Sequence, residues 1–159
     1  MTENEGTYAA VTFDATTNEA IRKYTTDANL PNAVPPNRLH TTLLYSRLHL
    51  PHYEPIGPLM MALWGVPVGL EVWPDQHDKR YLVLRYDCPE LNERHAYLME
   101  EHGATYDPIF IPHITLSYDI GDLDITTLPD IHKYLNVILI VHEYSETLIL
   151  DWPSTILID

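Results

Sequence analysis

The sequence predicts an α+β fold built from a duplicated strand–helix–strand unit, with antiparallel sheets forming a central groove and helices outside. Two observations lead there. The stretch FIPHITLSYD (Phe110 to Asp119) alternates polar and apolar residues with the period of a strand. Successive side chains on a strand point to opposite faces, so His113, Thr115 and Ser117 share one face and Ile114, Leu116 and Tyr118 the other. Earlier, LHTTLLYS (Leu39 to Ser46) carries His40 and Thr42 in the same relation. The second observation is that the resemblance extends beyond these motifs. A displacement of 73 residues lays TYAAVTFD (Thr7 to Asp14) over RYLVLRYD (Arg80 to Asp87). Without a gap, it also lays Tyr24 over Tyr97, His40 over His113, Thr42 over Thr115 and Tyr45 over Tyr118. The reading is one bilobal domain over residues 1–159, with repeat units of about 7–46 and 80–119 and the two histidines facing each other across the groove.

Taken in order, Met1 to Gly6 is polar and expected to be loose. Thr7 to Phe13 reads as a strand with Ala9, Val11 and Phe13 on its core face. Thr17 to Ala28 places Ala20, Ile21, Tyr24 and Ala28 at helical spacing, and the prolines of Asn29 to Arg38 end that helix. Arg47 to Pro58 is irregular. Leu59 to Trp73 reads as two short strands around a turn at Gly65-Val66-Pro67, with Met60 and Met61 in the core. Arg80 to Tyr86 repeats the first strand, its core face being Leu82, Leu84 and Tyr86. Asp87 is expected to cap the next helix, with Pro89 and Glu90 in its first turn and Gly103 beyond its end at His102. Gly121 to Leu135 is mixed, with a helical turn near Asp130. Val137 to His142 and Thr147 to Asp151 read as a final hairpin turning near Tyr144-Ser145-Glu146, and Trp152 to Asp159 closes the chain.

Composition narrows the function. The net charge is −14, from nine basic and twenty-three acidic residues. Proteins that hold long nucleic acids spread Lys and Arg over many phosphates, so that class is disfavoured, while a small anionic ligand needs only a few local donors. The single cysteine, Cys88, excludes an internal disulfide and fits a reducing compartment. No basic-then-apolar segment opens the chain, and the uncharged run Pro58 to Leu70 is too short to span a bilayer. A cytoplasmic protein without membrane contact is expected. Its oligomeric state is not legible.

One His-x-Thr is weak evidence in a chain with nine histidines. Here, however, only two histidines have the pattern, and both occupy equivalent positions of a repeat visible without them. Two such motifs on paired strands of a duplicated unit resemble the 2H phosphoesterase superfamily, and the likeness covers most of the chain. Within it, the length, the Tyr-containing first strand, LHTTLLYS and PHITLSYD are similar to those of the phage anti-CBASS cyclic-nucleotide nucleases. The resemblance implies a bilobal phosphodiesterase whose catalytic residues are His40, Thr42, His113 and Thr115.

The residue chemistry agrees. Histidine titrates near neutrality, so one imidazole can take a proton from an attacking hydroxyl while the other gives one to the leaving oxygen. Thr42 and Thr115 can donate to non-bridging phosphate oxygens as charge develops. The motifs bring no carboxylate cluster, and Cys88 lies near neither of them, so no metal and no cofactor is expected. Tyr8 and Trp73 are candidate stacking platforms for bases. Arg85 is a candidate phosphate contact, with a surface salt bridge as the plainer reading. Glu143 or Glu146, near the expected last turn, is a candidate reader of a base edge. The expected function is metal-independent cleavage of 3′–5′ linkages in a cyclic di- or trinucleotide messenger, removing the signal of an antiviral response. The competing readings are 2′–5′ oligoadenylate or RNA 2′,3′-cyclic phosphate cleavage, and sequestration of a cyclic nucleotide without chemistry.

Overall fold

The computed structural model describes residues 5–75, 77–106 and 109–149. Among them, six strands form one sheet in the order β2-β1-β6-β3-β4-β5, all neighbours antiparallel. The strands are β1 (Glu5–Phe13), β2 (Thr41–Ser46), β3 (Gly57–Pro74), β4 (Arg80–Asp87), β5 (His113–Ser117) and β6 (Ile138–Ile149). Helix α1 (Ala15–Asp27) joins β1 to β2, and α2 (Pro89–Glu101) lies between β4 and β5. The sheet order reads alike from either edge: a His-x-Thr strand, then the first strand of its unit, then a long strand. The duplicated strand–helix–strand pattern is therefore present in the fold. Among the described residues no helix is long and apolar enough to cross a membrane.

Each helix starts where local chemistry allows. Asp14 caps α1 by accepting the Thr17 N–H at 2.8 Å, a contact worth about 1 kcal/mol. Ile21 and Tyr24 are fully buried, and Tyr24 donates its hydroxyl to Pro129 O at 2.7 Å, pinning α1 to the far segment. Burial pushes that hydroxyl's pKa up to about 12. The second helix corrects an expectation. Asp87 stays in β4 and Cys88 is the N-cap, without a side-chain cap bond. Pro89 holds the residue before it extended, so the helix opens one residue later than in the first unit. Gly103, at φ +69°, provides the left-handed stop after Glu101 and His102.

The largest departures are β3 and β6. Leu59 to Trp73 is not two strands around a turn: β3 runs through Gly65-Val66-Pro67 and changes partner there, pairing with β6 up to Gly65 and with β4 from Val66. Bulges between Pro67 and Gly69 and between Pro58 and Leu63 absorb the irregularity. Gly65 is required by close approach, because a Cβ there would sit 2.6 Å from the buried Tyr86 ring. Met60 and Met61 are not core residues; they are 102% and 82% exposed, on the stretch where β3 has slipped out of register with β6.

Likewise β6 is one continuous strand through Tyr144, Ser145 and Glu146 rather than a hairpin, because β1 pairs with it from Ile140 to Ile149. Glu5 and Gly6 belong to β1 rather than to a loose end. Met1 to Asn4, Leu150 and Asp151 of the expected hairpin and the closing Trp152 to Asp159 lie outside the described residues. Tyr97, the repeat counterpart of Tyr24, is 47% exposed, whereas Tyr24 is buried. The core is otherwise as the alternation predicts, with Ala9, Val11 and Phe13, then Leu82, Leu84 and Tyr86, then Ile114 and Leu116 on its side of the sheet.

Candidate active site

The two motif strands are the two edges of the sheet, yet the residue inside the first motif ties them together. Thr41 lies between His40 and Thr42 and points to the core side. Its Oγ1 donates to His113 O at 2.7 Å, so the Tyr86 hydroxyl, also at 2.7 Å, must donate to Thr41. All three groups are buried, and this bond set draws the start of β5 against the start of β2. His40 immediately precedes β2, and His113 opens β5.

The two histidines are held alike. His40 Nδ1 lies 2.8 Å from Arg38 O, and His113 Nδ1 lies 2.8 Å from Ile111 O, each the carbonyl two residues back. A carbonyl can only accept, so each Nδ1 carries a hydrogen. In the neutral ring, Nε2 then holds the lone pair, the state a general base needs; with Nε2 protonated, the same ring is an acid. His113, Thr42 and Thr115 are almost buried, and His40 is half-buried.

Around this pair the structure gathers some of the expected residues. Tyr8 hydroxyl meets Thr42 Oγ1 at 2.9 Å. Trp73 packs on His113 with ring centroids 4.3 Å apart and donates its indole N–H to Glu71 at 3.0 Å. Arg85 sits opposite His113 in the β4–β5 ladder, where its guanidinium bonds the other Glu71 oxygen at 3.2 Å. The Trp73 N–H, followed by Arg85, holds the Glu71 carboxyl below the usual carboxylate range. Arg85 thus makes a salt bridge, the plainer of its two readings.

Glu143 is not at a turn. It is buried on β6, where its two oxygens take a bidentate pair from Arg94 at 3.0 Å each, with further bonds from Tyr53 OH at 2.8 Å and the Ile56 N–H at 3.1 Å. Those acceptor sites are spent on joining α2, β6 and the segment before β3. Glu146, the other residue named for that role, is exposed and directly opposite Tyr8. Sequence reasoning missed Tyr144 and Glu71. Tyr144 tilts against Tyr8 at 6.5 Å, and alternation along one unbroken β6 places it on the same face as Glu146. Among the described residues no group of three or more His, Cys, Asp or Glu is placed to hold a metal ion.

Comparison with known proteins gives the family. Residues 5–155 match the family model described as anti-CBASS protein Acb1. The chain is 40% identical over 154 residues to the anti-CBASS protein Acb1 of Acinetobacter phage Ac42, covering 94% of this chain and 95% of that one. It is 37% identical over 150 residues to the protein of the same name from Enterobacteria phage T4, covering 94% and 92%. The fold is similar to the crystal structure of TT0787 of Thermus thermophilus, with a TM-score of 0.56 at 19% identity over 87% of this chain and 82% of that one. That likeness is one of fold, an α+β architecture. With both His-x-Thr strands, their shared hydrogen-bond geometry and this match over nearly its whole length, the chain belongs to the anti-CBASS protein Acb1 family.

Proposed function

We propose that the protein is a metal-independent phosphodiesterase that opens a cyclic di- or trinucleotide at a 3′–5′ linkage and so removes a CBASS signal. The observation that carries this reading is the pair of histidines, each with Nδ1 bound to the carbonyl two residues back and each followed by a threonine. Simple sequestration needs no such pair of titrating groups. The ribose 2′-hydroxyl attacks the phosphorus. One Nε2 takes the hydroxyl proton, the other Nε2–H protonates the leaving 5′-oxygen, and a 2′,3′-cyclic phosphate forms. Thr42 and Thr115 donate to the non-bridging oxygens as charge grows on them. The Tyr8 hydroxyl, 2.9 Å from Thr42 Oγ1, holds that threonine in place. Trp73, beside His113, and Tyr8 offer faces for the bases, and Glu146 offers acceptors for a base edge. Membership of the anti-CBASS family supports the choice of a cyclic messenger over RNA ends, as does a net charge of −14.

The test is incubation of the protein with a panel of cyclic di- and trinucleotides, 2′–5′ oligoadenylate and RNA 2′,3′-cyclic phosphates, in EDTA, with products resolved by chromatography. Linearised products from the 3′–5′ cyclic compounds support the reading. Turnover that vanishes in EDTA and returns with a divalent ion overturns the mechanism. Tight binding with no product replaces it by sequestration.

A further inference from the structure

His95 lies outside both motifs, on α2, yet the fold brings it against each motif strand. Its Nδ1 is 2.8 Å from Leu43 O, so that nitrogen carries the hydrogen and donates. Leu43 is the residue left over where the β1–β2 register slips: Ala9 faces Leu44, and Ala10 faces Thr42. Such an extra residue has no ladder partner opposite it, and its orientation decides how its neighbours are aimed. The neighbour here is Thr42.

On the other side, the imidazole stacks on Phe110, with centroids 4.3 Å apart and planes 8° from parallel. Phe110 is three residues ahead of His113. Tyr106 meets the same imidazole edge-on at 4.8 Å. One half-buried ring therefore bonds the strand that carries Thr42 and packs on the segment that delivers His113. Burial holds the His95 pKa below its ordinary value. The device belongs to the second unit. The position displaced by 73 residues is Arg22, which pairs with Glu19 on the exposed side of α1. It also crosses the repeat, because α2 of the second unit packs on β2 of the first.

We propose that His95 is a positioning residue: its hydrogen bond to the Leu43 bulge aims Thr42, and its stack on Phe110 sets the approach of the chain into His113. The role rests on the phosphodiesterase reading above. Asn and Phe variants separate the two contacts. Asn presents an amide N–H where Nδ1–H stood, and Phe keeps the ring but no donor.

His95→Phe should lower kcat on the cyclic dinucleotide on the order of 10-fold, since a small misplacement of a phosphate donor is felt chiefly in the transition state. KM should stay within about twofold, and His95→Asn should recover most of the rate. In a Thr42→Ala background, His95→Phe should add little, because its target is already gone. Wild-type kcat in His95→Phe, or losses that multiply with Thr42→Ala, overturn the inference.

A readout free of turnover accompanies these rates. The backbone amide resonances of Thr42 and Leu44 should move in His95→Phe and return toward wild type in His95→Asn. Unmoved resonances in His95→Phe overturn the positioning role even if no substrate is found. Absence of wild-type turnover with moving resonances instead overturns the functional reading alone. Should His95→Phe not fold, His95→Leu removes the donor and the stack together, and the same loss of kcat and the same movement of the Thr42 and Leu44 resonances are read from it.

Discussion

Replacing Thr41 by Val keeps the side-chain shape and removes one oxygen, so it leaves no cavity to account for. The oxygen removed donates to His113 O and accepts from Tyr86, both at 2.7 Å, inside a buried environment. A buried polar group stripped of its partner costs about 1–3 kcal/mol, and two groups are stripped here, so a loss of roughly 3 kcal/mol is expected. For a chain of this size each kcal/mol lowers Tm by about 2–4 °C, which puts the expected drop near 6–12 °C. Urea unfolding followed by circular dichroism measures it, with an unchanged slope showing that the denatured state is not what moved. The control is Tyr86→Phe in the Thr41→Val background. Removing the second partner should recover part of the loss, because the buried tyrosine hydroxyl no longer goes unpaired. The same bond holds β5 against β2, so kcat on the cyclic nucleotide should fall as well. A loss below about 0.5 kcal/mol in Thr41→Val would refute the argument that this bond set joins the two edges.

His40→Ala and His113→Ala should each lower kcat by about 10²–10⁴-fold while binding of a non-hydrolysable analogue is largely kept, and the double variant should not show the product of the two losses. Rate against pH should be bell-shaped, because one imidazole must be neutral and the other protonated. Arg94→Met leaves the buried Glu143 carboxylate without its bidentate partner. A loss of about 3–5 kcal/mol is expected in urea, and the double change Arg94→Met with Glu143→Leu should recover much of it. Two other histidines should titrate apart by NMR. His95, pushed down by burial, contributes stability above the unfolded value of about 6.5 that is lost as pH falls below it. The His132 pKa is pushed up by its bonds to Asp130 and the Pro67 carbonyl, so its contribution is present at low pH and lost as pH rises through its folded pKa. Coincident titration curves for the two rings would contradict both assignments.

The sequence by itself determined whatever depends on near neighbours in the chain. The alternation of HITLS and TTLLYS sends His113 and Thr115 to the face opposite Ile114 and Leu116. Asp14 and Gly103 mark helix ends through bonds and dihedrals made within a few residues. The 73-residue repeat led to the symmetric order of the sheet for the same reason, since equal local patterns make equal units. Gly65 and Pro67 defeat that logic, because glycine and proline mark a turn and a bulge alike. Only the presence of β6 on one side and β4 on the other makes that stretch a single strand. Glu143 and His95 were misread or passed over for a related reason. Nothing near Glu143 in sequence announces Arg94, 49 residues away, and nothing near His95 announces Leu43 O, 52 residues away. A buried ion pair and a hydrogen bond to a bulge are contacts between distant segments, and their residue types are those of any exposed charged or polar position. Packing of α2 across β2 and β6 brings the partners within bonding distance, and that packing is settled by the whole core rather than by any stretch of it.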